Sequence, residues 1–556
     1  MTSISDTEVN ANDVTKDEST FYGISDPAPW SLSILSGIQH FLAMLGSTVP
    51  VPYLLFPYYC IGLDNPVRAD IAAALYFVCG ITTILQSAIG CRLPIMQGTT
   101  FSYFIPIFVL FGSPSMKCLN ENVTISTGIG NVNINSTSFD GIWQQRISMV
   151  QGSLMCASLL QIALGITGLI GYCLPYITPL VIFPVQTLYG FAVLEESVDY
   201  CSGNWLIAIL TVLMLIIFTE PLKNIHLPIY SYSKTRSWHR AKSLPIFQLF
   251  PVLMVVTLVW ILCIILTKCD VFSVGNAART DVNSNLITRA KWFRVPYPTQ
   301  WGLPSVNLVC FIGMLGSSVA NVIVAVGNYY ICARMSTAPP PPIDAINRGI
   351  LIEGMGTFLD GLIGIGNGSS SYPENIGIIG MTKMASRRVM YTAGAFMILI
   401  GVFTKLSAVF MVIPTPILGG VFLILFCIIA SMGISTLQYV DLSSTRNLLV
   451  IGLPVYCGLA FPLWLRTRTN SDSLETGYDV VDGILNVFLR TGMFLGGVIG
   501  ILLDNLLPGT PEERGLVNWN ALKTSDDSNN VRDYDFPLKN FRLRKTGCLN
   551  KMPLCP

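Results

Sequence analysis

About fourteen stretches of this sequence stay apolar for close to the roughly 20 residues that carry a helix across a bilayer. That feature decides most of what the chain can become. The runs lie near 31–56, 69–90, 94–111, 147–171, 174–195, 204–219 and 246–267 and, after a polar gap, near 305–333, 347–365, 369–383, 389–413, 416–435, 446–465 and 484–507. Only 12% of residues are charged and 52% are hydrophobic, against about 25% charged in an ordinary soluble domain. The expected fold is an all-α polytopic membrane protein. With 33 basic and 32 acidic side chains the net charge is +1, so no global field points to nucleic acid.

Seven runs on each side of the gap predict a 7+7 arrangement, and a repeat with an odd number of spans must be inverted relative to its copy. The expected organisation is a tail over 1–30, a first seven-span repeat over 31–267, a loop over 268–304, a second repeat over 305–507 and a tail over 508–556. Lys223, Lys234, Arg236, Arg240 and Lys242 in one loop, and Arg542, Arg544 and Lys545 in the last tail, place both segments on the cytoplasmic side by the excess of basic residues found there. Both termini are then cytoplasmic and the loop after the third span is external. That loop holds two N-glycosylation acceptors, Asn122 and Asn135, as a glycoprotein of the plasma membrane would. The 268–304 loop is also external in this scheme although basic; long loops follow the charge rule poorly.

Cys60, Cys118 and Cys269 all fall in external loops, where a disulfide persists; which pair forms is open. Cys79, Cys156, Cys310, Cys332 and Cys427 sit inside apolar runs and read as small hydrophobes. Three dispersed histidines and no CxxC pair offer no metal site. The polar, acidic start shows no cleavable signal peptide, leaving targeting to the first span. No Ser/His/Asp, Cys/His or P-loop constellation points to an enzyme.

Two runs at the same ordinal place in each half are poor helices. Residues 93–106 have prolines at both ends and Gln97, Gly98, Thr99, Thr100 and Ser102 between; residues 366–377 open on Gly366-Asn367-Gly368, continue with three serines and place Pro373 before Glu374. Such breaks free backbone groups, which a bilayer tolerates only where protein, water or a ligand satisfies them. Paired breaks in inverted repeats point to a central binding site, where half-helix N-termini present partial positive charge. A pair of kinked helices packed in the core is the bland alternative. The candidate substrate residues are Thr100, Phe101, Ser102 and Tyr103 in the third run and Glu374, Asn375 and Gly377 in the tenth. Glu374, an acid within a span, is the sharpest of them. Arg348 and Arg446, at helix starts, read as boundary anchors that snorkel to the headgroups.

The run Glu374-Asn375-Ile376-Gly377-Ile378-Ile379-Gly380-Met381-Thr382-Lys383 resembles the signature of the nucleobase–ascorbate transporter family at every defined position. Further similar stretches are 37–44, 338–342, 345–349, 414–420 and 508–515, so the resemblance runs from about Ser33 to Trp519. It implies two inverted seven-span repeats, with spans 1–4 and 8–11 forming a core, spans 5–7 and 12–14 a gate, and substrate between them. Members carry uracil, xanthine, uric acid or ascorbate, coupled to H+ or Na+, by elevator-like movement and typically as homodimers. Gln39 and His40 resemble a pair that supports the site, as do Thr382 and Lys383 at the end of the signature.

In the eighth span the family usually has Glu and, four residues on, Asp or His; this chain has Val324 and Asn328, and Asn328 retains hydrogen bonding without charge. Nucleobase carriers resemble this chain in having an acid or amide where Glu374 stands, whereas ascorbate carriers have Pro. A carboxylate accepts two hydrogen bonds from a uracil-like edge and repels an anion. The expected function is therefore secondary-active or facilitated transport of nucleobases such as uracil, hypoxanthine or xanthine, with no cofactor beyond a coupling ion. The rivals are a sodium-dependent ascorbate transporter, a non-transporting scaffold or receptor that has lost the eighth-span acid, and an anion exchanger or channel.

Overall fold

The computed structural model describes residues 22–48, 50–62, 65–112, 139–192, 194–222, 227–233, 237–244, 251–281, 285–382, 384–467, 478–517 and 531–535, with a few isolated positions between them. Asn122 and Asn135 lie outside the described residues.

The chain is mostly helical, and helices stand within all of the apolar runs. The first half supplies α1 (Trp30–Thr48), α2 (Val67–Ala88), strand β1 (Gln97–Thr99), α3 (Phe104–Gly112), α4 (Phe139–Thr167), α5 (Pro179–Phe191), α6 (Trp205–Thr219) and α7 (Pro251–Lys268). The second supplies α8 (Leu308–Met335), α9 (Ile343–Ile363), strand β2 (Ser369–Ser371), α10 (Pro373–Thr382), α11 (Arg387–Val402), α12 (Thr415–Thr436), α13 (Thr445–Thr467), α14 (Asp479–Arg490) and α15 (Gly492–Leu506). By length and composition 6 helices qualify as membrane spans among the described residues, or up to 9 if each bent pair is one span. The bends include one of 92° between α11 and Thr404–Phe410 and one of 79° where α14 gives way to α15.

Local chemistry sets several of these ends. Asn204 caps α6 by accepting from the Ile207 N–H at 3.3 Å, and Asn307 caps α8 by accepting from Cys310 N–H at 3.1 Å. Gly364 closes α9 with φ of 82°, a left-handed conformation that favours glycine.

The tightest helix packing falls into two sets: α4 on α9, α2 on α11 and α1 on α11 in one; α5 on α12, α5 on α15 and α13 on α15 in the other. In lipid, apolar surface gives helices little reason to associate, so small residues that let backbones approach do much of the work. A Cβ on Gly80 would lie 2.6 Å from the Gly394 carbonyl oxygen where α2 meets α11, and one on Gly165 would lie 2.7 Å from Leu351 where α4 meets α9.

Two arginines depart from the sequence expectation. Arg348 does not snorkel: it is 4% exposed and donates to the carbonyls of Tyr534 at 2.6 Å and Gly90 at 3.4 Å. A buried guanidinium holds its place by its fixed fork of donors, and here it ties a C-terminal segment to the start of α9. Arg446 pairs with buried Asp504 at 2.8 Å, which Arg514 also reaches at 2.8 Å. Of Cys60, Cys118 and Cys269, the first two form a disulfide and Cys269 is free. Among the apolar-run cysteines Cys79, Cys310 and Cys332 are buried, whereas Cys427 is exposed.

Candidate functional site

The two broken runs meet. β1 and β2 pair antiparallel, with Gln97 opposite Ser371, Gly98 opposite Ser370 and Thr99 opposite Ser369. Each strand feeds a half-helix: β1 leads through a single 3-10 turn, Phe101–Tyr103, into α3, and β2 leads into α10. The pairing satisfies backbone groups that the breaks set free, as a span must. Further bonds lock it: Thr100 N–H to the Gly368 carbonyl at 3.0 Å, Tyr372 N–H to the Met96 carbonyl at 2.9 Å, and the Asn367 amide to the Thr100 carbonyl at 2.8 Å. Glycine is required at the crossing. A Cβ on Gly98 would stand 2.3 Å from the Tyr372 ring, and Gly366, at φ of 77°, passes against Tyr59.

A small cavity lies on this crossing, lined by Thr99, Thr100, Phe101, Tyr189, Val324, Ser370, Ser371, Tyr372, Pro373 and Ile429. Val324 on α8, together with Tyr189 and Ile429 on α5 and α12 of the second packing set, thus closes it over the two strands. Two of the lining hydroxyls, Thr99 Oγ1 and Ser370 Oγ, are buried and have no hydrogen-bond partner among the described residues. Two aromatic rings, Phe101 and Tyr189, stand 6.1 Å apart between centroids, and none of these lining residues is charged.

Of the sequence candidates, Thr100 and Phe101 line the cavity. Their polar groups are occupied by Tyr189, whose hydroxyl accepts from Phe101 N–H at 3.0 Å and lies 3.2 Å from Thr100 Oγ1. Ser102 Oγ accepts from Thr100 at 3.0 Å, and Tyr103 points instead to Ser318 at 3.1 Å on α8. Asn375 is buried as a clamp between the breaks, accepting from Met96 N–H at 3.2 Å and donating to the Pro94 carbonyl at 3.2 Å. Gly377 is exposed on α10 and does not line the cavity. The backbone of Glu374 stands in the first turn of α10, next to cavity-lining Pro373; its side chain, like Lys383, lies outside the described residues.

Among the supporting candidates, Asn328 donates to the Ser371 carbonyl at 3.0 Å, directly behind the cavity. Thr382 bonds back to the Ile378 carbonyl at 2.8 Å within its own helix. Gln39 and His40 are buried on α1, and neither imidazole nitrogen has a partner among the described residues.

A buried network that the sequence reading did not single out backs the crossing. Glu353, at 0% exposure on α9, accepts from the Tyr329 hydroxyl at 2.7 Å and from the Ser371 hydroxyl. Gln86 donates to Tyr329 at 2.9 Å and Gln97 to Ser371 at 2.9 Å. A fully desolvated carboxylate is tolerated only with such partners. Its signal was present in the sequence, since any acid inside a span is a functional candidate.

Comparison with known proteins agrees with this architecture. The profile of the permease family (Xan_ur_permease) matches residues 32–467. The chain belongs to this family. It is 39% identical to human solute carrier family 23 member 2, over 96% of this chain and 82% of that protein. It is 31% identical to nucleobase-ascorbate transporter 1 of Arabidopsis thaliana, over 93% of this chain and 95% of that protein. A murine solute carrier 26 family anion transporter in the inward-facing state shares the fold, with a TM-score of 0.52 at 14% identity over 87% of this chain and 69% of that one. Membership and the apolar helices together make the chain an integral membrane protein of transporter class.

Proposed function

We propose that the chain carries uracil, hypoxanthine, xanthine or a related neutral heterocycle across the plasma membrane, binding it where the two breaks cross. The observation that carries this reading is the cavity itself: two buried hydroxyls, Thr99 and Ser370, without partners among the described residues, share its lining with an aromatic pair, and none of the described lining residues is charged. A flat heterocycle stacks on aromatic faces and meets hydroxyls that donate or accept as its edge requires. An anion would find no compensating charge there. Glu374, one residue beyond the lining, supplies acceptors for ring N–H groups in this scheme, as the family signature implies.

The wider arrangement belongs to the same proposal. The chain forms fourteen spans as two inverted sevens, with spans 1–4 and 8–11 as a core that moves, elevator-fashion, against a gate of spans 5–7 and 12–14. The segregation of the tightest helix packing into two sets supports the division. Both termini are cytoplasmic, Asn122 and Asn135 are glycosylated and two copies form a homodimer.

Uptake of labelled uracil, hypoxanthine and ascorbate into cells lacking endogenous carriers tests the reading, comparing wild type with Glu374→Gln and Val324→Glu at equal surface expression. Saturable base uptake that falls at least tenfold in Glu374→Gln is expected. Ascorbate uptake without base uptake contradicts the substrate assignment, and no uptake of any of the three by wild type at the surface favours a non-transporting scaffold.

A further inference from the structure

The missing eighth-span acid leaves open what couples transport to an ion gradient, and α9 holds an answer behind the cavity. Asp360 lies seven residues after Glu353, two helical turns along the same face. Both acids are 0% exposed, and they bracket β2: Glu353 holds Ser371 at one end of the strand, and Asp360 faces the hydroxyl and N–H of Ser369 at the other. The two carboxyls are served very differently. Glu353 Oε1 has two donors, whereas neither oxygen of Asp360 makes a hydrogen bond of ordinary geometry, and the Ser369 hydroxyl opposite is also unpartnered.

An ionised carboxylate so placed carries a desolvation cost that the Ser369 hydroxyl and N–H offset only in part. The titratable groups facing it are Cys79 on α2 and Tyr103 in the turn before α3, with Glu353 on its own helix. None is a cation, and among the described residues no ion pair includes Asp360.

We propose that Asp360 is the proton-carrying residue of this chain, taking over the coupling that an eighth-span acid serves elsewhere. Protonated, its O–H donates to Ser369 Oγ while its carbonyl oxygen faces the Ser369 N–H, and β2 is held at both ends. Released to water in the inward-facing state, the proton leaves an anion that accepts from both the O–H and the N–H of Ser369, so the Ser369 hydroxyl turns from acceptor to donor. The strand carrying cavity residues Ser370 and Ser371 is thereby coupled to the proton. Asp360 is not among the residues lining the cavity, so it is a positioning residue and not part of the substrate contact.

The inference rests on the transport reading, and its test separates the two. Full-length protein in liposomes is assayed for uracil counterflow, for uracil accumulation driven by a pH gradient or a sodium gradient, and for the infrared C=O band of a protonated carboxylic acid at neutral pH. Wild type is expected to show counterflow, several-fold accumulation with the pH gradient alone, and the band. Asp360→Asn is expected to keep counterflow, lose accumulation down to equilibration and lose the band. Asp360→Glu should restore part of both. Accumulation driven by sodium, unchanged accumulation in Asp360→Asn, a band that survives in it, or counterflow lost together with accumulation each overturns the proposal. Absence of counterflow in wild type overturns the transport reading, and the band still decides whether Asp360 holds a proton.

Discussion

The third-span break commits its first helical N–H, that of Phe101, to the Tyr189 hydroxyl at 3.0 Å, whereas the tenth-span break begins its helix on Pro373, which has no N–H to commit. The two half-helices occupy matching places, yet their partners differ in kind. The third is closed by a side chain from α5, in the other packing set, which a relative movement of the two sets would withdraw. The tenth is fixed from behind by α8 and α9, through Asn328, Tyr329 and Glu353. One break is therefore closed by the other packing set and the other anchored from behind, and in the proposed scheme substrate competes with Tyr189 for the first while resting against the second.

The largest effect expected from disturbing this contrast is on the anchored side. Glu353→Ala strands the Tyr329 and Ser371 hydroxyls, and a buried unsatisfied group costs about 1–3 kcal/mol. Melting of the purified protein should drop more than in any other variant here, with uptake lost, while Glu353→Gln keeps an acceptor and falls between. Next comes the crossing itself: Gly98→Ala places a methyl at 2.3 Å from the Tyr372 ring, and overpacking of this kind costs about 1–3 kcal/mol. Pairing it with Tyr372→Leu should recover part of the melting temperature.

On the gated side the loss is smaller. Tyr189→Phe removes hydrogen bonds worth about 1 kcal/mol and frees the Phe101 N–H, so half-saturation for uracil should fall severalfold with little change in melting. Equal destabilisation by Tyr189→Phe and Glu353→Ala would erase the distinction between gate and anchor. Asn328→Ala, which loses one donor to the Ser371 carbonyl, should be the mildest, at about 1 kcal/mol or less.

Much of this was legible in the sequence because breaks are written in residues. Prolines at 94 and 106, glycines at 366 and 368 and the serine run of 369–371 announce two spans that cannot be continuous helices, and their matching positions announce that they belong together. What periodicity could not give was the register. That Gln97 faces Ser371, and that Asn375 spends its amide on Pro94 and Met96 instead of facing the cavity, depends on contacts across more than 250 residues. Tyr189 was invisible for the same reason, since nothing in 179–191 marks a hydroxyl that reaches Phe101. Glu353 and Asp360 were visible as acids within a span. Their burial was not legible, because with Asp344 and Arg348 the residues of α9 read as an ordinary boundary helix.

The central claim is that the crossing of the two breaks binds a nucleobase. Counterflow of labelled uracil by purified protein in liposomes, challenged with unlabelled uracil, hypoxanthine and ascorbate, tests it most directly. The account predicts saturable counterflow, displaced by the two bases and not by ascorbate, and abolished by filling the cavity with Ser370→Phe in a protein that still melts cooperatively. Counterflow that persists unchanged in Ser370→Phe, or that ascorbate displaces as well as uracil does, would contradict it.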